Sequence, residues 1–271
     1  MSGEALSGRV KVESVLRERR IFRQRLTAYV QELIKNSDTS KIEEFAKLRK
    51  MYTGAIYSAN IFYIKDYVDL LLPDYLDDLE SFGVISANGK PIYHERWVIP
   101  IYDSEGLVQG LVGYSPVSNE RYVYAVTEYY MRGDTLWGLE RLNRAYELGY
   151  AILTEGITDA LHIRSLGYEP VFAMCGTRKS AISMFELNRC RYGIVRIPDR
   201  DIAGMKAVRS WETNRYVTLT TPINYKDADE TLRESEDNGE CFRGYLDLCI
   251  GWLMEKEHKG EKSEKEKICM I

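Results

Sequence analysis

The feature that most constrains the fold is a regular alternation of strand-like and helix-like segments between Tyr150 and about residue 235. Four short apolar runs, AILTE, PVFAMCG, GIVRIPD and YVTLTT, are each followed by a segment with helical periodicity or a helix-start signal. Four such units in succession predict a four-stranded parallel sheet flanked by helices, because a right-handed crossover packs each helix back onto the twisted sheet. The expected fold class is therefore α/β.

The rest of the chain shows other patterns of apolar and turn-forming residues. Residues 1–88 are predicted to form a mainly helical N-terminal subdomain, because apolar residues recur there at helical spacings. Residues 89–148 contain β-like runs separated by turn-forming residues, which predicts a small β-rich subdomain. Together they would form an α+β region in front of the α/β domain at 149–238. Residues 239–257 are expected to form a C-terminal helix, and 258–271 a disordered charged tail.

Composition excludes several classes of protein. With 271 residues and 45% hydrophobic content, the chain can bury an ordinary core. No apolar run approaches the roughly 20 residues of a membrane span, and no signal-like segment stands at the N-terminus. We therefore expect a cytoplasmic protein, in the host cytoplasm if it is phage-encoded, with no membrane partner. The five cysteines and three histidines lack the paired spacing of a zinc module, so no zinc is expected.

The charge is unevenly distributed along the chain. The net charge of −4 does not indicate a nucleic-acid-binding protein. Residues 1–50, however, carry twelve Lys/Arg against seven Asp/Glu, and the stretch RERRIFRQR places five arginines in nine positions. Two interpretations of this stretch stay open, a solvated helix face and a ridge that contacts phosphates.

Six carboxylates follow three of the four predicted strands. They are Glu155, Asp159, Asp199, Asp201, Asp227 and Asp229. Because the carboxyl ends of parallel strands share one edge, where ligands collect, these side chains are expected to lie close together. Such a concentration of negative charge requires counter-charge, and ligands that are all oxygens favour Mg²⁺ or Mn²⁺ over Zn²⁺. Since Mg²⁺ usually bridges to phosphates, the predicted substrate is a nucleotide or a nucleic-acid backbone.

Four sequence blocks carry a family resemblance: TEGITDALHIRSLG, VFAMCGT, IPDRDIAG and KDADETL. In this order and spacing they resemble the Toprim domain, which is shared by DnaG-type primases, type IA and type II topoisomerases and OLD-type nucleases. Upstream, RWVIPIYDSEGLVQGLVGYS and RYVYAVTEYYMRGDTLWGLERL resemble the blocks that precede this domain in primases. The resemblance covers about residues 90–235 and implies a compact DnaG-type primase catalytic core.

The resemblance implies three sets of functional residues. The catalytic set is Glu155, Asp199 and Asp201. The metal-binding set contains these three together with Asp159, Asp227 and Asp229. The nucleotide- or DNA-binding set is Arg96, Arg121, Arg132 and Lys226. For Lys226 two roles stay open, because its ammonium group could pair with a triphosphate or with the neighbouring acids.

The implied activity is DNA-dependent RNA primer synthesis on single-stranded DNA during replication, by two-metal nucleotidyl transfer with release of pyrophosphate. Its partners would be a single-stranded DNA template and nucleoside triphosphates. The zinc-binding and helicase-binding modules of the family are not matched, so a replicative helicase or a separate template-recognition protein is expected as a further partner. This compact architecture suggests a phage or another mobile element.

One departure from the family pattern leaves alternatives open. Where DnaG-type primases usually read D-G-D, this chain has Arg200 between Asp199 and Asp201. Its side chain could point outward toward template, or inward, where it could displace a cation. The alternative functions are a Toprim-type metal-dependent nuclease and a non-catalytic single-stranded-DNA-binding adaptor of the replisome. A topoisomerase is disfavoured, because no separate cleavage domain fits in this length.

Overall fold

The computed structural model describes residues 3–258 except 126, 128, 131–132, 134, 176–180, 210 and 212, together with residues 268–270. Contacts within the chain define two compact units. The first unit comprises Met1–Asp38 and Phe62–Met131, and the second comprises Thr39–Ile61 and Arg132–Ile271. The predicted helical segment 1–88 therefore contributes to both units, and the predicted domain boundaries stay predictions.

The first unit is a four-stranded antiparallel sheet against which a long helix packs. Its helix and strands are α1 (Gly3–Asn36), β1 (Phe62–Ile64), β2 (Arg96–Tyr102), β3 (Val108–Tyr114) and β4 (Tyr122–Tyr124). The strands pair in the order β1-β2-β3-β4, and α1 contacts β3. Pro100 fits in the middle of β2 because β1 pairs only with Arg96–Val98, so no strand on that side needs the missing N–H.

The second unit contains the remaining elements. Its helices are α2 (Thr39–Arg49), α3 (Thr53–Ser58), α4 (Leu142–Leu148), α5 (Ile157–Ser165), α6 (Ala181–Leu187), α7 (Ile202–Arg209), α8 (Ala228–Glu234) and α9 (Glu240–His258). Its strands are β5 (Leu136–Trp137), β6 (Tyr150–Thr154), β7 (Val171–Met174), β8 (Gly193–Ile197), β9 (Tyr216–Thr220) and β10 (Ile268–Met270). Across the described part of the chain, no helix combines the length and the apolar character that a membrane crossing requires.

These strands form one sheet in the order β10-β9-β8-β6-β7-β5. Neighbours from β9 to β7 are parallel, which confirms the predicted α/β class and its four parallel strands. The sheet is wider than predicted, because the short strand β5 adds antiparallel to β7 and β10 adds parallel to β9. Strand β10 corrects the prediction of a disordered tail at Ile268–Met270, since this apolar triplet pairs with an open sheet edge. Residues 259–267 lie outside the described residues.

The parallel strands are buried almost end to end, as expected where helices cover a parallel sheet. Arg196 in β8 is the one charged residue in β6 to β9, and it is 3% exposed. Its guanidinium lies 3.4 Å from the ring centroid of Tyr216 and donates to Thr218 Oγ1 at 2.8 Å and to the Val208 carbonyl at 3.2 Å. A buried charge with this many partners helps to fix the β8–β9 pairing.

The apolar core of the second unit predicts a specific cost of truncation. Phe172 in β7 is fully buried and belongs to the cluster that includes Leu153 and Ile194. Phe172→Ala is therefore expected to lower the free energy of unfolding by about 3–5 kcal/mol, measured by chemical denaturation. Phe185 in α6 is 65% exposed and provides the matched control. Phe185→Ala should change the same quantity by no more than about 0.5 kcal/mol. Equal losses in both variants would contradict this core.

Candidate acidic active site

The sheet order brings the predicted acids to one edge. Strands β6, β8 and β9 are neighbours and parallel, so the loops after them leave the sheet side by side. Glu155 follows β6, and the pair Asp199 and Asp201 follows β8. The other three acids lie in the first turn of α5 and at the start of α8. The predicted gathering of the carboxylates is thus present within the second unit.

Asp199 and Asp201 both lie close to the side chain of Lys226. The Lys226 ammonium lies 3.1 Å from Asp199 Oδ2 and 3.6 Å from Asp201 Oδ2. Of the two roles open for Lys226, the structure shows the ion pair with the acids. Asp201 Oδ1 also accepts the Gly204 amide at 2.7 Å, at the start of α7, and this hydrogen bond lowers the pKa of Asp201. Burial raises the pKa of Asp199, although Lys226 opposes the shift.

Glu155 is the least satisfied acid of the group. It is half-buried, and its Oε2 atom is buried without a hydrogen-bond donor among the described residues. Burial and the nearby charge of Asp199 raise its pKa. A buried carboxylate oxygen without a partner requires an explanation, and a bound cation would provide one.

Gly204 allows α7 to approach these acids. A Cβ atom at this position would lie 2.4 Å from the Asp199 carbonyl oxygen and 2.9 Å from Glu155 Oε2. Only glycine therefore lets the helix begin directly behind Asp199 and Asp201. The sequence analysis did not single out Gly204. The spacing D-x-D-x-x-G, with glycine in the first turn of a helix, is the signal that could have found it.

Asp159 and Asp227 interact through their charges, and Asp159 is the more buried of the two. Asp159 is buried, and burial together with the charges of Asp227 and Asp199 raises its pKa well above the ordinary value. Its Oδ1 atom accepts the Asp229 amide at 2.8 Å. Asp227 caps α8 by accepting the Glu230 amide at 2.7 Å, and burial raises its pKa as well.

Asp229 differs from the other acids because cationic groups surround it. Its Oδ2 atom accepts from Arg49 Nη1 at 2.7 Å and from Arg233 Nε at 3.0 Å. Its Oδ1 atom lies 3.1 Å from His162 Nδ1. Burial alone would raise the pKa of Asp229, but the hydrogen bond with His162 and the two arginines bring it below the ordinary value. Both oxygens are therefore engaged within the protein, which favours an anchoring role over metal binding.

Arg200 takes neither of the positions considered from the sequence. Its Nη1 atom donates to the Thr221 carbonyl just after β9, and its backbone amide donates to the Lys226 carbonyl at 2.6 Å. The guanidinium therefore binds the adjacent loop and does not lie between Asp199 and Asp201. Arg200 thus connects the loops that follow β8 and β9.

Two of the predicted basic residues, Arg96 and Arg121, lie in the first unit and differ in their exposure to solvent. Arg96 is buried and donates to the Glu120 and Arg121 carbonyls and to Ser118 Oγ at 3.0–3.4 Å, so its guanidinium holds the loop between β3 and β4. Arg96, which was predicted to bind nucleotide or DNA, therefore directs its guanidinium to groups within the unit, and its binding role stays a prediction. Arg121 is exposed. Arg132 lies outside the described residues.

Carboxylate oxygens are the donors that Mg²⁺ and Mn²⁺ prefer, although no group of three or more histidine, cysteine or acidic side chains among the described residues is placed to hold a metal ion. Glu155 experiences the charges of both Asp199 and Asp201, and hard oxygen donors of this kind suit Mg²⁺ or Mn²⁺. The ammonium of Lys226 occupies the space between Asp199 and Asp201 that a cation would share. The residues therefore fit such an ion if Lys226 moves.

The sequence is similar to curated proteins named DNA primase. No family model matches the chain. A DNA primase of Thermotoga maritima is 25% identical over 227 residues, which cover 68% of this chain and 40% of that protein. A DNA primase of Aquifex aeolicus is 31% identical over 144 residues, which cover 52% of this chain and 29% of that protein. The chain thus spans less than half the length of the curated relatives it matches.

Comparison with a solved structure shows which known fold the chain has. The DnaG primase catalytic domain bound to single-stranded DNA matches with a TM-score of 0.70 and 19% identity, over 88% of this chain and 83% of that one. This chain has the fold of a DnaG primase catalytic core. The resemblance found in the sequence blocks is confirmed at the level of fold and of similarity to named primases. Within this primase fold, the acids lie at the carboxyl edge of the parallel strands.

The Lys226 ion pair in this primase-like site predicts competition with metal. Lys226→Met should tighten Mn²⁺ binding about two- to fivefold, because the ammonium no longer competes for Asp199 and Asp201, and exposed ion pairs contribute up to about 1 kcal/mol. The affinity is measured by titration with paramagnetic resonance detection of free Mn²⁺. Lys206→Met on α7 removes the same charge from an exposed position and should leave the affinity unchanged. Equal affinities for wild type and Lys226→Met would show that Lys226 does not compete.

Proposed function

We propose that this protein synthesises RNA primers on single-stranded DNA, by joining nucleoside triphosphates with release of pyrophosphate. The observation that carries the proposal is the buried, unpartnered Oε2 atom of Glu155 beside Asp199, at the carboxyl edge of a sheet with the DnaG primase fold. Two curated relatives named DNA primase and a solved primase domain bound to single-stranded DNA support it.

The proposed cofactor is Mg²⁺ or Mn²⁺, in two or more ions. Glu155, Asp199 and Asp201 would bind these ions directly, and Asp159 and Asp227 would complete the acidic cluster behind the three ligands. When bound, such ions supply charge neutralisation at the phosphates and a lower pKa at the attacking hydroxyl. Asp229, which the sequence analysis grouped with the metal ligands, is proposed instead as an anchor, since Arg49, Arg233 and His162 engage both of its oxygens.

The protein's own groups have separable roles in this proposal. Glu155 is proposed as a metal ligand or as the base that accepts the proton of the attacking hydroxyl, and burial and the charge of Asp199, which raise its pKa, suit the second role. Lys226, with 56% of its side chain exposed, can leave the acids and pair with the triphosphate. Arg121 is exposed and is proposed to contact the phosphates of template or nucleotide. These groups position the reactants, which is the main task of a protein in phosphoryl transfer.

The remaining partners follow from the proposed reaction. They are a single-stranded DNA template, nucleoside triphosphates, and a replicative helicase or template-recognition protein. No zinc is assigned to the activity. A cytoplasmic location and a phage origin stay predictions that this activity would suit.

Removal of the paired aspartates should abolish the activity. Asp199→Asn combined with Asp201→Asn should reduce the yield of labelled oligoribonucleotide on single-stranded DNA with Mn²⁺ to background, because amides are poor ligands for these ions. The fold should persist, since asparagine at position 201 still caps the Gly204 amide and neutralisation at 199 removes a destabilised charge.

A matched control separates the site from net charge. Glu234→Gln combined with Glu236→Gln removes two exposed carboxylates at the same two-residue spacing and should leave the yield unchanged. Primer synthesis by the aspartate variant at the wild-type level would overturn the proposal. The same assay with deoxynucleotides and with duplex or nicked DNA distinguishes the alternatives. Metal-dependent cleavage without synthesis indicates a nuclease, and DNA binding without either reaction indicates an adaptor.

Arg121 provides a test of the template surface. Arg121→Ala should weaken binding of single-stranded DNA and reduce the slope of log affinity against log salt by about one, as expected for loss of one phosphate contact. Fluorescence anisotropy between about 50 and 200 mM salt measures this slope. Lys90→Ala removes an exposed charge from a turn of the same unit and is the comparison variant. If Arg121→Ala and wild type share one slope, Arg121 does not contact the phosphates.

A further inference from the structure

A segment from the N-terminal part of the sequence belongs to the unit that carries the acids. Residues Thr39–Ile61 join the second unit, and α3 contacts α5, the helix that bears Asp159. Arg49 at the end of α2 donates to Asp229 Oδ2 at 2.7 Å, with 13% of the arginine side chain and 5% of the aspartate side chain exposed. The next residue, Lys50, donates to the Arg233 carbonyl at the end of α8. The segment therefore holds α8 at both ends.

Asp229 connects this segment to the acidic site. Its carboxylate receives Arg49, Arg233 and His162, while its backbone amide donates to Asp159 Oδ1 at 2.8 Å. The Asp229 amide therefore donates a hydrogen bond to the Asp159 carboxylate, whereas the neighbouring charges of Asp227 and Asp199 repel it. A displacement of the first turn of α8 would consequently change where Asp159 points.

We propose that Arg49 is a positioning residue for the acidic site, acting through Asp229 on the carboxylate of Asp159. The inference rests on the proposed function, in which Asp159 lies behind the metal ligands. Arg49 itself touches neither substrate nor metal in this assignment. Its guanidinium binds the Asp229 carboxylate and so holds the first turn of α8 in position. The Asp229 amide in that turn binds the Asp159 carboxylate and orients it, and Asp227 is the N-cap residue of the same helix.

The geometry favours positioning over a purely structural contribution. If Arg49 is lost, Asp229 keeps Arg233 and His162, and α8 keeps its Asp227 cap, so the helix has the contacts it needs to remain folded. What is lost is the buried donor from α2, whereas Arg233 lies on α8 itself and His162 connects Asp229 only to α5. Groups that orient ligands in this indirect way typically change metal affinity or activity by about 10- to 100-fold when removed.

The experiment compares three variants of the full chain. Arg49→Met removes the guanidinium, and Arg49→Lys keeps a charged donor in its place. Lys47→Met removes a charge from an exposed position in the same last turn of α2 and serves as the control. Each protein is tested for its melting temperature, its Mn²⁺ affinity without substrate, and kcat and KM in primer synthesis.

Arg49→Met is expected to weaken Mn²⁺ binding and to lower kcat, each by about tenfold or more, with KM for nucleotides changed less than kcat. Arg49→Lys should recover part of both losses, and Lys47→Met should match wild type. A fall in melting temperature with wild-type Mn²⁺ affinity and kcat would reduce Arg49 to a structural role and overturn the inference. If the wild type makes no primers, the proposed function fails, whereas the comparison of Mn²⁺ affinities still decides the role of Arg49.

Discussion

The repulsion among carboxylates at one sheet edge is the constraint on which the rest of the site depends. The protein compensates this charge unevenly. Asp201 and Asp229, whose pKa values are lowered, are supplied with a helix amide or with arginines and a histidine. Glu155, Asp159 and Asp199 have raised pKa values because burial and mutual repulsion outweigh their partners. A cation would relieve the strain in this second group. The uneven compensation therefore sets Asp229, whose two oxygens are both engaged by neighbouring side chains, apart from Glu155, Asp159 and Asp199, whose charges a bound ion would neutralise.

The strand order explains why these acids meet at a crevice. From β6 the chain moves to β7 on one side, and it then returns to place β8 on the other side of β6. In open α/β sheets such a change of direction leaves a gap between the loops at the carboxyl ends of the two central strands, and ligands bind there. Glu155 follows β6, and Asp199 follows β8. The two residues thus lie next to the point where the strand order reverses, which is where this class of sheet binds its ligands.

The sequence could predict the parallel strands and the gathering of the acids, because both follow from periodicity and from the shared edge of parallel strands. It could not predict the partners of buried charges. Spacing does not reveal that Arg96 binds a loop of its own unit or that Arg49 reaches Asp229, 180 residues away. The short strands β5 and β10 were missed for a related reason. Two or three residues carry too little pattern, and they become strands only because a sheet edge pairs with them.

The arginine between the two aspartates and the lysine beside them form one connected feature. Arg200 donates its backbone amide to the Lys226 carbonyl and its guanidinium to the Thr221 carbonyl, so the loop after β8 is fastened to the loop after β9. This attachment places the Lys226 ammonium within 3.6 Å of both aspartates. A glycine at position 200 would retain the amide contact with Lys226 but lose the guanidinium contact with the Thr221 carbonyl. The side chain in place of the glycine therefore adds a second attachment between the two loops, and Lys226 on the second loop is the internal counter-ion with which a metal would compete for the two aspartates.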